Sequence, residues 1–188
     1  MTAKSPGTAV ITAKASTGTA GKSTVKVGYK GDLLAAYAEL FKDKKGREMY
    51  DIMKIGRGVD WCALFASYCY DMNGALGQGK IVDQYAWNVD HFLTLPNYRS
   101  KANYPKYVPK PGDLVIFAYP GSSNPKHVGI VKRYYVINGK SYLDTIEGNV
   151  GSTYVYDSEV DYRNYVNEYN STSNYKVLGY FSLNGEYR

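Results

Sequence analysis

Apolar residues divide the chain into a helical first half and a strand-rich second half. Within residues 31–41 and 62–72 they lie on the buried face of a predicted helix. Gly31 to Phe41 predicts one capped amphipathic helix. A second helix is expected after the loop Gly56–Asp60, with Asp60 as its N-cap, ending near Asn73-Gly74. Its predicted buried face consists of Ala63, Leu64, Phe65, Ala66, Cys69, Tyr70 and Met72.

After Pro109 the pattern changes to short runs typical of strands. Asn138-Gly139, between two such runs, predicts a tight hairpin turn. The segment before Pro109 is predicted to be irregular with short helical pieces. Helices followed by strands favour an α+β fold, with N-terminal helices packed on an antiparallel, partly closed sheet. Strands are expected near residues 113–118, 127–136, 141–149, 152–157 and 175–183.

Residues 1–28 are rich in Thr, Ala, Lys, Ser and Gly and predict a hairpin. Its strands are Thr8–Ala13 and Lys22–Val27, joined by a turn at Thr17–Gly21. This pattern resembles the last strands of a bacterial immunoglobulin-like domain of group 2. Because an isolated hairpin is marginally stable, these residues either pack on the following domain or belong to a longer protein as strands or linker. We therefore divide the chain into 1–28 and a catalytic domain at 29–188.

Cys62 is the candidate nucleophile because it stands where the loop gives way to the apolar helical run. In the first turn of a helix, unpaired backbone N–H groups and the positive end of the dipole favour a thiolate. The same N–H groups can hold an oxyanion. Free cysteines are also common as small core residues. The residues around Cys62 alone leave both interpretations open.

His127 is the candidate general base. It follows the loop Pro120–Lys126 and opens the apolar run Val128–Val131. Junctions between a loop and a strand often carry catalytic groups, because the scaffold is rigid there and substrate can still approach. The sequence thus supplies a histidine that could take the proton of Cys62.

Glu147 and Asn149 are the candidates for orienting the imidazole of His127. If the strand is regular through them, they lie two residues apart and point to the same face. A carboxylate or an amide can each fix the tautomer of a catalytic histidine. The residues alone do not choose between the two.

Four segments follow one another in an order typical of a known family. They are Trp61-Cys62-Ala63 with Phe65, Pro109–Phe117, His127–Val131 and Ile146–Asn149. In these segments the chain resembles the CHAP family of cysteine, histidine-dependent amidohydrolases and peptidases. The resemblance implies a papain-like fold, with Cys62 as nucleophile, His127 as general base, Glu147 as third member and Asn149 as a further polar group. We also expect Trp61, beside the nucleophile, to bind substrate.

The implied activity is cleavage of a peptidoglycan amide bond without a cofactor. The bond is either the N-acetylmuramoyl-L-alanine amide or one within the stem peptide or cross-bridge. The alternative is a non-catalytic cell-wall-binding or surface adhesion module, against which the joint presence of Cys62, His127 and Glu147 argues. The NlpC/P60 type of cysteine peptidase fits less well, because its nucleophile usually stands in a Cys-Ser-Gly context. We expect a secreted or wall-associated protein whose export signal is not in this chain, or a phage or prophage lysin.

Charge and composition add expectations about partners. The 188 residues suit one modest domain plus an appendage, expected to be a monomer. A net charge of +6 favours anionic wall polymers as further partners. No nucleic-acid motif accompanies the basic cluster Lys42–Arg47, which is predicted to be the solvated end of a helix. No apolar run is long enough for membrane insertion. The 21 tyrosines suit strands and also grooves that bind sugars or peptides.

The cysteines and histidines predict neither a disulfide nor a metal site. Cys62 and Cys69 are separated by roughly 10.5 Å of helical rise, beyond the reach of a disulfide. We expect Cys69 to be a core residue and His91 to be structural. Some relatives carry a calcium loop before the nucleophile, but here Asp51 and Asp60 are widely spaced, with cationic residues between them.

Overall fold

The computed structural model describes residues 7–27, 30–72, 89–94 and 97–182. The predicted helix end at Asn73-Gly74 lies outside these ranges. Within them, the helices are α1 (Lys30–Glu39), α2 (Gly46–Met53), α3 (Cys62–Met72) and the short α4 (Asp90–Leu93). The strands are β1 (Gly7–Lys14), β2 (Ala20–Val27), β3 (Tyr98–Ser100), β4 (Leu114–Ala118), β5 (His127–Ile137), β6 (Lys140–Val150), β7 (Glu159–Val166), β8 (Tyr169–Asn170) and β9 (Tyr175–Phe181).

Seven strands form one antiparallel sheet in the order β3-β9-β4-β5-β6-β7-β8. Strand β8 also pairs with β9, so the six strands from β4 to β9 close into a barrel. Strand β3 is an additional edge strand beside β9. The prediction of an α+β fold with a partly closed antiparallel sheet is confirmed.

The sheet separates two apolar clusters because successive residues of a strand point to opposite faces. In β4, Leu114 and Ile116 pack with α1, α2 and α3, whereas Val115 and Phe117 face the interior of the barrel. The helices thus cover one side of the sheet. The interior cluster consists of Val115, Phe117, Val131, Leu143, Tyr165, Val177 and Tyr180.

Helix α3 lies in the larger of these clusters, and its predicted face is buried. Six of its predicted core residues are at most 7% exposed: Ala63, Leu64, Phe65, Ala66, Cys69 and Tyr70. The extent of burial of Met72 lies outside the described part of the chain. A helix that is apolar almost all round is expected where it is enclosed by other elements.

The strand expected at residues 152–157 is wrong. Gly151 has a positive φ of 85°, and the backbone N–H groups of Asp157 and Ser158 donate to the carbonyl of Tyr154 at 2.9 Å. These local bonds form a turn, and Tyr154 is 74% exposed. The next strand, β7, begins at Glu159. Sequence patterning missed it because Glu159, Asp161, Arg163 and Asn164 leave it without a run of apolar residues.

The basic cluster Lys42–Arg47 does not end a helix as predicted. It spans the connection from α1 and the first residues of α2. Each cation lies close to a carboxylate. The pairs are Lys42 with Asp43, Lys44 with Glu48, Lys45 with Glu159 and Arg47 with Asp157. Two of these pairs join α2 and the residue before it to the segment around β7.

The N-terminal hairpin forms as predicted. Strands β1 and β2 pair antiparallel from Gly7↔Val27 to Lys14↔Ala20 in a separate two-stranded sheet. Its assignment to an immunoglobulin-like domain stays a prediction. The hairpin turn at Asn138-Gly139 is confirmed, with φ values of 50° and 74° that suit a type I′ turn. None of the helices in the described ranges has the length and apolar character needed to cross a membrane.

Candidate active site

Cys62 is the first residue of α3, as the sequence predicts. The Phe65 N–H donates to the Trp61 carbonyl at 2.8 Å, so Trp61 occupies the N-cap position. The prediction of Asp60 as N-cap is therefore wrong by one residue. Gly148 allows the helix to start against β6, because a Cβ there would lie 2.6 Å from Cζ3 of Trp61 and 2.9 Å from Cβ of Phe65.

His127 is the first residue of β5 and lies beside Glu147 on the neighbouring strand. Its Nε2 is 2.8 Å from Oε2 of Glu147, and the two side chains are 5% and 1% exposed. The imidazole stacks against Tyr175 and Phe117, with ring centroids 5.5 and 6.0 Å away. Since Nε2 faces Glu147, Nδ1 is the nitrogen left to interact with Cys62.

The pKa of His127 reflects interactions with both Cys62 and Glu147. Burial alone lowers the pKa of His127, but Coulombic attraction and a hydrogen bond to Cys62, followed by the interactions with Glu147, outweigh it. Together they raise the pKa to about 10. Cys62, His127 and Glu147 therefore form one continuous group in which the protonated imidazole is stabilised.

Glu147 is held by two hydroxyl groups that sequence reasoning missed. Its Oε1 accepts a hydrogen bond from Thr145 and another, 3.0 Å long, from Tyr165. Burial, followed by Coulombic repulsion from Glu147, raises the pKa of Tyr165, so its hydroxyl stays a donor. Gly129 makes room for the carboxylate side chain, because a Cβ there would lie 2.7 Å from Cγ of Glu147. The two-residue spacing of Thr145 and Glu147 was the available sequence signal.

Asn149 does not share the face of Glu147, which corrects the prediction. Its φ is 63°, and the pairing of β6 with β7 shifts register between Glu147 and Val150. The Asn149 Nδ2 donates to Oδ1 of Asp60 at 3.0 Å, and the Ser158 hydroxyl lies 2.8 Å from its Oδ1. Asn149 thus contacts the loop before Cys62, whereas the Glu147 carboxylate contacts His127.

The prediction that Trp61 binds substrate is wrong. Its side chain is 0% exposed and offers no surface to a ligand. Its Nε1 donates to the carbonyl of Val155 at 3.1 Å and to the hydroxyl of Ser158 at 3.0 Å. Trp61 fixes the start of α3 against the turn before β7 instead.

The second cysteine is a core residue, as predicted. Cys69 is 0% exposed, burial raises its pKa, and neither cysteine forms a disulfide. His91 belongs to α4, and its side chain lies outside the described part of the structure.

An open cavity of about 340 Å³ adjoins the His127–Glu147 pair. It lies between the segment after β6 and the start of β9. His127 and Glu147 line it, and Cys62 does not. The lining residues are His127, Glu147, Asn149, Val150, Gly151, Ser152, Arg163, Thr172, Ser173 and Tyr175.

Comparison with known proteins identifies the family. No curated protein and no solved structure matches the chain, so the papain-like arrangement stays a prediction. The family model of the CHAP domain matches residues 54–149, just over half of the chain. The match includes Cys62, His127, Glu147 and Asn149. The chain belongs to the CHAP family, whose members are generally cysteine, histidine-dependent amidohydrolases and peptidases.

Proposed function

We propose that the protein is a cysteine-dependent peptidoglycan hydrolase that cleaves an amide bond of the bacterial cell wall. The observation that carries this proposal is the continuous arrangement of Cys62, His127 and Glu147, in which the imidazole interacts with both other side chains. A cysteine and a histidine in this relation, with the histidine fixed by a third group, form the arrangement used for acyl transfer through a thiol.

The reaction follows from the roles of these groups. The Cys62 sulfur, whose proton is already held by His127, attacks the amide carbon. The imidazolium then protonates the departing amine, and a thioester to Cys62 remains. Water, deprotonated by His127, releases the acid product and restores the thiol. Glu147 stabilises the imidazolium and fixes its tautomer through the 2.8 Å contact at Nε2.

The oxyanion formed during attack requires donors near Cys62. Backbone N–H groups in the first turn of an α-helix have no acceptor within the helix, and they point toward its N-terminus. Because Cys62 is the first residue of α3, these groups lie next to its sulfur. The start of α3 therefore supplies both the nucleophile and donors for the oxyanion.

Two bonds of the wall fit this chemistry, the muramoyl–alanine amide and a peptide bond of the stem or cross-bridge. Both are amides, and the triad does not distinguish them. We propose that the protein acts outside the cytoplasm, as a secreted, wall-associated or phage-derived enzyme. There its net charge of +6 would attract anionic wall polymers.

Mass spectrometry of digested walls tests the proposal. Purified peptidoglycan is incubated with the protein and, in parallel, with Cys62→Ser. New amino termini at alanine, with intact muramic acid, identify an amidase, and cut stems or bridges identify an endopeptidase. Walls that bind the protein but yield no products would favour the non-catalytic binding module. Products formed equally by Cys62→Ser would show that another group cleaves the bond.

A further inference from the structure

Arg163 lies in the cavity beside the triad and has no anionic partner among the residues that the structure describes. It lies on β7, is half-buried and lines the cavity together with His127 and Glu147. The other arginines in the described ranges have partners: Arg47 with Asp157, Arg57 with Asp51, Arg133 with Asp144, and Arg99 with the carbonyl of Tyr98. Within these ranges, Arg163 has no such ion pair or side-chain hydrogen bond.

The register of the sheet explains why Arg163 lies near the triad. It pairs with Thr145 on β6, and its carbonyl accepts a 3.3 Å hydrogen bond from the Thr145 hydroxyl. Arg163 is two residues from Tyr165, so the two side chains share a face of β7. The Tyr165 hydroxyl binds Glu147 on that face. The guanidinium is therefore on the triad side of the strand.

Acidic residues near Arg163 are already engaged. On β6 and β7, each carboxylate has another partner: Asp144 has Arg133, Glu147 has His127, Glu159 has Lys45, and Asp161 lies 4.0 Å from Lys42. A half-buried guanidinium has lost part of its hydration and favours a planar anion that accepts two hydrogen bonds. Because the carboxylates of β6 and β7 have other partners, a ligand could supply the anion for Arg163.

We propose that Arg163 binds a free carboxylate of the peptide substrate and thereby selects acidic wall peptides. This inference rests on the proposed function and deepens it. His127 and Arg163 line the same cavity, so the recognised carboxylate lies near the amide attacked by Cys62. Ser152 and Thr172 also line the cavity.

Ligand binding to an inactive protein tests this assignment. The full chain carrying Cys62→Ala is titrated by calorimetry with a soluble muropeptide that has free carboxylates. A second titration uses the same muropeptide with its carboxylates converted to carboxamides. We expect about tenfold to a hundredfold tighter binding of the carboxylate form, the range typical of hydrogen bonds to charged groups.

Three variants in the Cys62→Ala background locate the source of that preference. Arg163→Gln is expected to bind both muropeptides equally, and Arg163→Lys to retain a reduced preference because it keeps the charge but not the planar fork. Arg133→Gln is the matched control, since it removes the same charge outside the cavity and should keep the full preference. If Arg163→Gln does not fold, Arg163→Lys and the comparison of the two ligands still test the proposal.

The outcomes distinguish this inference from the proposed function. A preference that persists in Arg163→Gln, is lost in Arg133→Gln, or is missing from the Cys62→Ala protein overturns the assignment. Wall digestion by the protein with intact Cys62 is measured separately. If walls are cleaved but Arg163 does not govern binding, only the carboxylate site fails. If an Arg163-dependent preference exists without cleavage, the site stands and the hydrolase proposal fails.

Discussion

Glu147 and Asn149 are two residues apart on β6, yet they contact different parts of the candidate active site. Glu147 contacts His127 at 2.8 Å and is itself bound by Thr145 and Tyr165. Asn149 contacts Asp60 at 3.0 Å, in the loop that precedes the nucleophile. Glu147 therefore acts on the candidate base, His127, and Asn149 acts on the loop before Cys62.

The two networks also differ in burial. The Glu147 side chain is 1% exposed, so its charge acts where water screens it little. The contact of Asn149 with Asp60 is exposed to solvent. We infer that the contacts of Glu147 control the charge of His127, whereas the contact of Asn149 with Asp60 controls the position of the loop before Cys62. Replacing the two residues should therefore have effects of different size and kind.

The largest effect is expected at Cys62, the residue that both networks serve. Cys62→Ser should leave no measurable wall hydrolysis, because a serine hydroxyl is a much weaker nucleophile than a thiolate in a site built for sulfur. Cys69→Ala is the control and should keep most turnover, since Cys69 is fully buried two turns away.

Iodoacetamide labelling is an independent test of the difference between Cys62 and Cys69. Peptide mapping should show modification of Cys62 first, with activity falling in proportion. Labelling of Cys69 while activity is lost, or wall clearance by Cys62→Ser, would show that Cys62 is not the nucleophile.

Glu147→Gln should give the next largest loss. The amide keeps the size of the side chain but not its charge, so the imidazolium loses its stabilising partner. We expect turnover to fall on the order of 10² or more, given the cost of losing the correct tautomer in a serine triad. Substrate binding should change little, which steady-state kinetics can check. Near-normal turnover in this variant would mean that another group orients His127.

Replacement of Asn149 should cost less and should act differently. Asn149→Gly removes the amide without forcing a side chain into the positive φ of 63°. A net hydrogen bond is worth about 1 kcal/mol, so turnover should fall roughly fivefold to tenfold. Asn149→Ala should be worse because alanine is strained at that φ. A loss larger than that of Glu147→Gln would reverse the roles assigned to the two networks.

The sequence predicted the positions of Cys62 and His127 in their elements better than the contacts that surround Glu147. Cys62 and His127 lie at a helix start and a loop-to-strand junction, which are local features of the chain. The contact of Tyr165 with Glu147 depends on how β7 pairs with β6, and nothing local specifies that register. Arg163 reaches the cavity for the same reason.

Two errors have a common physical cause. The face of Asn149 was predicted from strict alternation along β6, but a register shift and a positive φ interrupt that alternation. The strand at 152–157 was predicted from a short run typical of strands, but local backbone bonds form a turn there. The turn formed there carries Val155, whose carbonyl accepts the indole N–H of Trp61. Irregular backbone near β6 therefore determined both the burial of Trp61 and the contacts of Asn149.

The titration of His127 is expected to show a smaller effect. It distinguishes the contacts of Glu147 from those of Asn149 without a measurement of turnover. Because its folded-state pKa is raised to about 10, the interactions with Cys62 and Glu147 stabilise the fold fully below about pH 6.5. This stabilisation is lost as the pH rises through about 10. NMR titration of the imidazole should show a lower pKa in Cys62→Ala and, to a lesser degree, in Glu147→Gln.

Asn149→Gly supplies the control for that titration, since its contacts are with Asp60 and Ser158. Its imidazole should titrate as in the unmodified protein. The chain has two histidines, so His127→Asn assigns the signal. A shifted titration in Asn149→Gly would show that the Asn149 network also acts on the base.

Removal of divalent metal should have the smallest effect, because the carboxylates before the nucleophile are already used. Asp51 pairs with Arg57 at 2.8 Å, and Asp60 accepts the amide of Asn149 at 3.0 Å. Calcium requires several clustered oxygen ligands, and binding here would have to displace a guanidinium and break the contact that fixes the loop. Wall hydrolysis should therefore proceed at the same rate after dialysis against EDTA. If chelation stopped the reaction and calcium restored it, Asp60 would be a calcium ligand rather than the partner of Asn149. The position of the loop before Cys62 would then depend on the metal and not on Asn149.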